Sequence, residues 1–278
     1  TAVMDKYFRG LETKHGIVLT PGQKAWYIKK SGQQLGDMKR EFPSTPDESF
    51  AASVEGSYYG DWIEALEQQG RICAVEADPS QPVHTTWDIG VGDATAVWFW
   101  QRLHKEVRIV GCYSHTGEGV PFYANEVSRL YREHGWRRID AVDFVPHDAR
   151  VKEWGTGKTR LEQLIDNGFH PRIATEMSID DGINAVRAIL PQCTIDEAGC
   201  SDGLKALKAY RKEWNKDAGC WSSKPISQHW SKHYSDAMRY LAAAHRDFEI
   251  VPETESIPDL SAAKFRDELI KAHEEHRR

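Results

Sequence analysis

Apolar and β-branched residues crowd into three stretches at about 83–89, 94–102 and 106–114, each rich in Val, Ile, Thr and aromatics and bounded by glycines or charges. Short runs of that make-up predict three strands joined by tight turns. Past them the period changes. Phe122, Val127, Leu130 and Tyr131 recur at helical spacing between Pro121 and His134, and Gly135 supplies a stop. Ile139 to Pro146 reads as a fourth strand, Leu161 to Asn167 as a helix closed by Gly168, and Phe169 to Ala174 as a fifth strand. Helices are predicted over about 180–190, 201–213 and 227–246. Upstream, Tyr59 to Gln69 has helical character, and Thr20-Pro21-Gly22-Gln23 caps a short predicted helix through Trp26, Tyr27 and Lys30. Glu41 to Phe50 carries Pro43 and Pro46, which predicts extended chain ahead of a capped turn at Thr45.

The predicted order is a meander of strands, then helix, strand, helix, strand, helix. It implies an α/β domain whose mixed β-sheet is flanked by α-helices, and the ribonuclease H-like layout is one of several with that order. The expected division is an approach segment over 1–80, the sheet domain over 81–250 and a charged helix or tail over 251–278. With 278 residues, 40% of them apolar, and ten Trp, the chain has ample material for a core. The net charge of -6 does not advertise nucleic acid, so any such binding must come from local patches. The five cysteines form no Cys-x-x-Cys pair and are odd in number, which fits a reducing compartment. No apolar run reaches the roughly 18 to 20 residues of a membrane span, and no signal-like start is visible, so a cytosolic protein is expected. A start at Thr1 is expected for a piece of a longer chain.

Candidate chemistry begins at Thr85-Thr86-Trp87-Asp88-Ile89-Gly90-Val91-Gly92-Asp93, where a strand delivers Asp88 to its tip and glycines turn the chain back. Asp148, two residues after Pro146, stands at the end of another predicted strand, because proline cannot continue a ladder. In the helix from His229 to Leu241, Trp230, Tyr234, Ala237, Met238 and Leu241 make the buried stripe. His229, His233, Asp236 and Tyr240 fall on the adjoining face, so Asp236 borders the core, where an unpaired carboxylate is costly. Three hard oxygen donors suit Mg²⁺ or Mn²⁺, and two such ions can run phosphodiester hydrolysis. Turn and capping aspartates are the plain alternative on pattern alone, and Asp143 competes with Asp148 for the second position.

Taken together, Trp87-Asp88-Ile89-Gly90 with Asp93, Val145-Pro146-His147-Asp148-Ala149, Gly155-Thr156-Gly157-Lys158-Thr159 and Ser235-Asp236-Ala237-Met238-Arg239-Tyr240 resemble the nuclease domain of tailed-phage terminase large subunits. Glu41 to Phe50 resembles the segment joining that family's motor to its nuclease. The likeness spans most of residues 15–245. It implies a ribonuclease H-like, two-metal endonuclease that cuts concatemeric double-stranded viral DNA during packaging, alongside portal protein and small terminase subunit in the host cytoplasm and transiently at the procapsid portal. By matching position Asp88, Asp148 and Asp236 would be the catalytic metal ligands, with Asp88 between the other two and Asp93 an accessory acid. Gly90 and Gly92 would leave the rim open for a phosphate. The family's packaging ATPase lies in an N-terminal domain that the resemblance places outside this chain, and the isolated domain would be a monomer.

Several residues have softer assignments. His147 and His233 neighbour proposed ligands and can bond or protonate around them. The string Lys152 to Thr159 has Gly-Lys-Thr but lacks the first glycine of a phosphate loop, so it is expected to cap the next helix or, with Lys158 and Arg160, to touch a DNA phosphate. Lys205, Lys208, Arg211, Lys212 and Lys216, with Trp214 among them, can grip the DNA backbone or form a solvated face. Glu55 and Asp61 read as surface residues. Other expectations are a junction resolvase or integrase of the same fold, and a non-catalytic fragment that docks portal or small terminase.

Overall fold

A computed structural model describes residues 2–34, 42–45, 56–90, 93–104, 106–153, 155–215, 219–226 and 229–250. The elements in chain order are α1 (Ala2–His15), α2 (Pro21–Gln34), α3 (Gly60–Gln68), β1 (Ile72–Cys73), β2 (His84–Asp88), β3 (Ala94–Leu103), β4 (Glu106–Thr116), α4 (Val120–His134) and β5 (Asp143–Val145). They continue as α5 (Arg160–Asp166), β6 (Pro171–Ile173), α6 (Ile179–Ile189), β7 (Cys193–Asp196), α7 (Ser201–Ala209), β8 (Lys212–Asn215), β9 (Cys220–Pro225) and α8 (Ser231–Ile250). One sheet has seven strands in the order β1-β7-β4-β3-β2-β5-β6. Strands β2, β3 and β4 are an antiparallel meander, whereas β5 runs parallel to β2 and β6 parallel to β5. That central arrangement, with helices on both faces, is the ribonuclease H-like mixed sheet.

Strand β3 shows why both faces are covered. Ala96, Trp98 and Trp100 enter a core beneath α3, α6, α7 and α8, while the alternate residues Val97 and Phe99 enter a second core with Trp87, Val127, Tyr131 and Leu164 beneath α4 and α5. The indole of Trp98 donates to the carbonyl of Tyr234 at 2.9 Å, which pins α8 to the sheet centre. Helix α4 ends on Gly135 in the left-handed conformation (φ 64°), as the sequence predicts. Helix α2 is capped by Thr20, whose backbone N–H donates to Gln23 Oε1 at 2.8 Å while Gln23 N–H donates to Thr20 Oγ1 at 3.3 Å.

Three differences from the sequence expectations have local causes. The helix expected to reach 213 stops at Ala209, because Lys212–Asn215 pairs with Cys220–Pro225 in a two-stranded hairpin. Strand β7, between α6 and α7, pairs parallel with both β4 and β1 and widens the sheet beyond the five strands expected. Residues expected in the approach segment, Tyr58, Tyr59, Ile63 and Leu66, are buried in the core under α8, whereas Phe8, Leu11 and Tyr27 form a cluster of their own on α1 and α2. Glu55, Lys216, most of Glu41–Phe50 and the predicted tail from 251 onward lie outside the described residues. No helix among the described residues is long and apolar enough to cross a membrane.

Candidate active site

Parallel pairing of β2 and β5, with Thr85 opposite Asp143 and Thr86 opposite Phe144, makes both strands leave the sheet at the same edge. Asp88 ends β2 there. Pro146 follows β5 in an extended conformation and starts the short 3₁₀ turn His147–Arg150, which carries Asp148. Alternation along β2 sends Trp87 into the α4 and α5 core and Asp88 to the face where α8 lies. Helix α8 presents His233, Asp236 and Tyr240 at i, i+3 and i+7, a single stripe. Gly90 answers a demand of the turn itself, since a Cβ there would meet the Ala94 carbonyl at 2.6 Å. Gly92 lies outside the described residues.

His233 bridges the first acid to its accessory partner: Nδ1 lies 3.1 Å from Asp88 Oδ2 and Nε2 3.0 Å from Asp93 Oδ1. The hydrogen bond to Asp88, backed by the charges of Asp88 and Asp93, raises the His233 pKa against the opposing effects of burial and Lys232. Asp88 itself is raised, chiefly by burial and then by the charge of Asp236, with His233 and Lys232 opposing. Asp236 is buried and charge-neutralised, with Oδ1 accepting from Arg239 Nη2 at 2.7 Å and Oδ2 lying 3.0 Å from Lys232 Nζ. Asp148 is half-exposed; Oδ2 faces Arg160 Nη1 at 3.3 Å, while Oδ1 is buried with no hydrogen-bond partner. Tyr240 joins the set. Its hydroxyl pKa is raised by burial first and then by the charges of Asp88, Asp236 and Asp148, against Arg239. No cluster of three His, Cys, Asp or Glu side chains at ligating distance occurs among the described residues; each of the three acids is turned to a basic partner instead. The donor set still fits a hard divalent cation, because Asp148 Oδ1 is a buried acceptor in need of a charge.

No family model matches the sequence, and no curated protein does. Solved structures do. The large terminase of a thermophilic bacteriophage, in its complex with ADP, aligns at TM-score 0.53 and 17% identity over 65% of this chain and 44% of that one. A second crystal form of the same protein aligns at TM-score 0.51 and 16% identity over 79% of this chain and 58% of that one. The fold resembles that of phage large terminases. Weaker likeness extends to the P22 large terminase nuclease domain, at TM-score 0.48 and 16% identity over 64% of this chain and 89% of that one. This chain spans about half the length of the thermophilic-phage terminase it matches.

Beside the terminase-like sheet edge, Asp143 is fully buried and taken up by four donors. Arg138 grips both its oxygens at 2.8 and 2.6 Å, the His170 N–H donates at 2.8 Å, and the Thr85 hydroxyl donates as well. That saturation makes Asp143 a structural acid, whereas Asp148 keeps one oxygen without a partner. His147 is exposed beside it. The Gly-Lys-Thr string is a cap, with Lys152 bridged to Thr159 and Thr159 forming a capping box with Glu162 at the start of α5. The expected phosphate contacts are mostly occupied: Lys158 pairs with Asp166 at 2.6 Å, Lys205 with Asp202 at 3.0 Å and Lys208 with Glu67 at 2.5 Å. Arg160 is buried and turned inward to acids, away from any phosphate at the surface. Arg211 and Lys212 sit half-buried at the start of the β8 hairpin. Sequence reasoning put Tyr240 on the right face without a role and passed over Lys232 and Arg239, although their i-4 and i+3 spacing from Asp236 is a visible signal.

Proposed function

We propose that this chain is a metal-dependent endonuclease domain that cuts concatemeric double-stranded viral DNA during genome packaging. One observation carries the reading: Asp88 and Asp148 come off β2 and β5 at one sheet edge, His233 of the helix that carries Asp236 bonds Asp88 there, and Asp148 keeps a buried, unpartnered oxygen. The fold shared with the thermophilic-phage large terminase supports it. Asp88, Asp148 and Asp236 would hold the ions, with Asp88 central. When bound, two Mg²⁺ or Mn²⁺ ions would supply an activated water and charge stabilisation for the leaving oxygen. The chain's own groups prepare that site. His233 orients Asp88 and joins it to Asp93, and Lys232 and Arg239 hold the two oxygens of buried Asp236. Double-stranded DNA is the substrate, with portal protein and small terminase subunit as partners in the host cytoplasm and at the portal. Nucleotide hydrolysis is not assigned to this chain, because its Gly-Lys-Thr string is folded as a helix cap.

Asp88→Ala and Asp236→Asn test the reading. Each should keep the parent's circular dichroism and lose plasmid nicking and linearisation in Mg²⁺ or Mn²⁺. Full cleavage by both variants refutes it. Linear duplex, branched DNA and RNA–DNA hybrid assayed side by side separate this nuclease from a resolvase or another ribonuclease H-like enzyme, and no cleavage with no Mn²⁺ binding would favour a docking fragment.

A further inference from the structure

The Gly-Lys-Thr turn has a purpose that neither phosphate binding nor capping exhausts. Lys152 and Thr159 bridge its base, Glu153 N–H donates to the Lys158 carbonyl at 2.9 Å, and Gly157 N–H donates to the Glu153 carbonyl at 2.8 Å. The turn thereby places Arg160 at the first position of α5, with its side chain driven into the protein until 7% of the residue is exposed. From there Nη1 reaches the carbonyl of Ile89, the residue after Asp88, at 3.2 Å, and Asp148 Oδ2 at 3.3 Å. Its Nε lies 3.4 Å from Glu153 Oε1, while Gln163 Nε2 holds the other oxygen of Glu153 at 2.8 Å.

We infer that Arg160 is a positioning residue: one buried guanidinium ties the end of β2 to the 3₁₀ turn after β5 and so fixes Asp148 relative to Asp88. The inference rests on the nuclease reading of those two acids. It assigns Arg160 no contact with DNA. With Oδ2 of Asp148 engaged by Arg160, Oδ1 is left buried without a hydrogen-bond partner. Lysine cannot substitute, since a single ammonium on a flexible stem does not hold a carbonyl, a carboxylate and Glu153 in one plane.

The test compares the parent 278-residue chain with Arg160→Lys and Glu153→Gln. Mn²⁺ affinity is read by calorimetry, plasmid cleavage is split into kcat and KM, and thermal unfolding is followed for all three. Arg160→Lys keeps the charge and should lose roughly 10–100-fold in Mn²⁺ affinity or kcat, the range for residues that orient metal ligands. KM for DNA should stay level. Glu153→Gln, a near-isosteric change at the residue that seats the guanidinium, should show a smaller loss in the same direction and covers the case in which Arg160→Lys does not fold. Parent-like Mn²⁺ affinity and kcat in the folded variants overturn the inference, as does a rise confined to KM with a shallower salt dependence, which would make Arg160 a phosphate contact. A parent that neither binds Mn²⁺ nor cuts DNA overturns the nuclease reading and this inference with it.

Discussion

Asp143 and Asp148 stand five residues apart, and opposite behaviour on substitution should tell them apart. Asp143 is inaccessible, and replacement by Ala strips Arg138 of a two-pronged partner while orphaning the Thr85 hydroxyl and the His170 N–H. Breaking a buried pair by removing one partner costs about 3–5 kcal/mol. Because 27% of the Arg138 side chain is exposed and can rehydrate, the low end applies, about 3 kcal/mol. For a domain of this size that is roughly 6–12 °C in melting temperature. Asp148→Asn touches a side chain that is 48% exposed and held by one long contact to Arg160, so its expected stability change is under about 1 kcal/mol. Cleavage should follow the reverse order. Asp148→Asn should be dead on supercoiled plasmid in Mn²⁺, and Asp143→Ala, assayed at 25 °C where it is still folded, should keep most of the parent rate. Scanning calorimetry and the plasmid assay on both proteins decide it. A stable, inactive Asp143 variant beside a destabilised, active Asp148 variant would refute the assignment.

His84 is buried against Trp100 and Phe248 and accepts the Val142 N–H at Nδ1, and burial depresses its pKa to about 4, with Asp143 opposing. The folded state thus prefers the neutral ring. Its stability contribution is complete above the unfolded pKa of 6.5 and is lost as pH falls toward 4, with about 2 kcal/mol gone at pH 5; His84→Gln should flatten that part of the urea-midpoint profile, and an unchanged slope would refute the claim. Gly203 packs against the benzo ring of Trp98, where an added Cβ would sit 2.8 Å from Cζ2, and Trp98 is pinned by its bond to Tyr234. Gly203→Ala should therefore cost about 1–3 kcal/mol in urea unfolding through overpacking, and a neutral result would mean that α7 shifts freely. With a net charge of -6 and Lys158, Lys205 and Lys208 already paired, DNA binding by the isolated chain should be weak and steeply salt-dependent. Nanomolar affinity indifferent to salt would contradict that.

The parts legible in the sequence were those written in local periods. The meander β2–β4 came from dense β-branched and aromatic runs, α4 from its apolar spacing and Gly135, and α5 from the stop at Gly168. Strands β1 and β7 were hidden because they have two and four residues and owe their pairing to parallel neighbours far along the chain. The β8–β9 hairpin was hidden because Lys212 to Asn215 extends a helical charge pattern, and only its partner strand converts it. Candidate acids could be found by asking which strands end in carboxylates. Their partners could not, since a basic residue predicted to meet phosphate and one that organises acids look alike until burial is known.

Arg160 makes that last point physical. A surface arginine and a buried one carry the same charge, but only the buried one must be met by acceptors on every side, because an uncompensated guanidinium inside the protein is not tolerated. Asp148, Glu153 and the Ile89 carbonyl meet it, and none of the three is near it in a way that sequence spacing alone reveals. The same logic runs through α8, where Lys232 and Arg239 balance Asp236. Two acids of the proposed site, Asp148 and Asp236, are thus delivered already matched to cations of the chain. Metal affinity at this edge should then depend on how firmly those basic groups hold the acids in place, and the Arg160 and Glu153 variants probe that dependence directly.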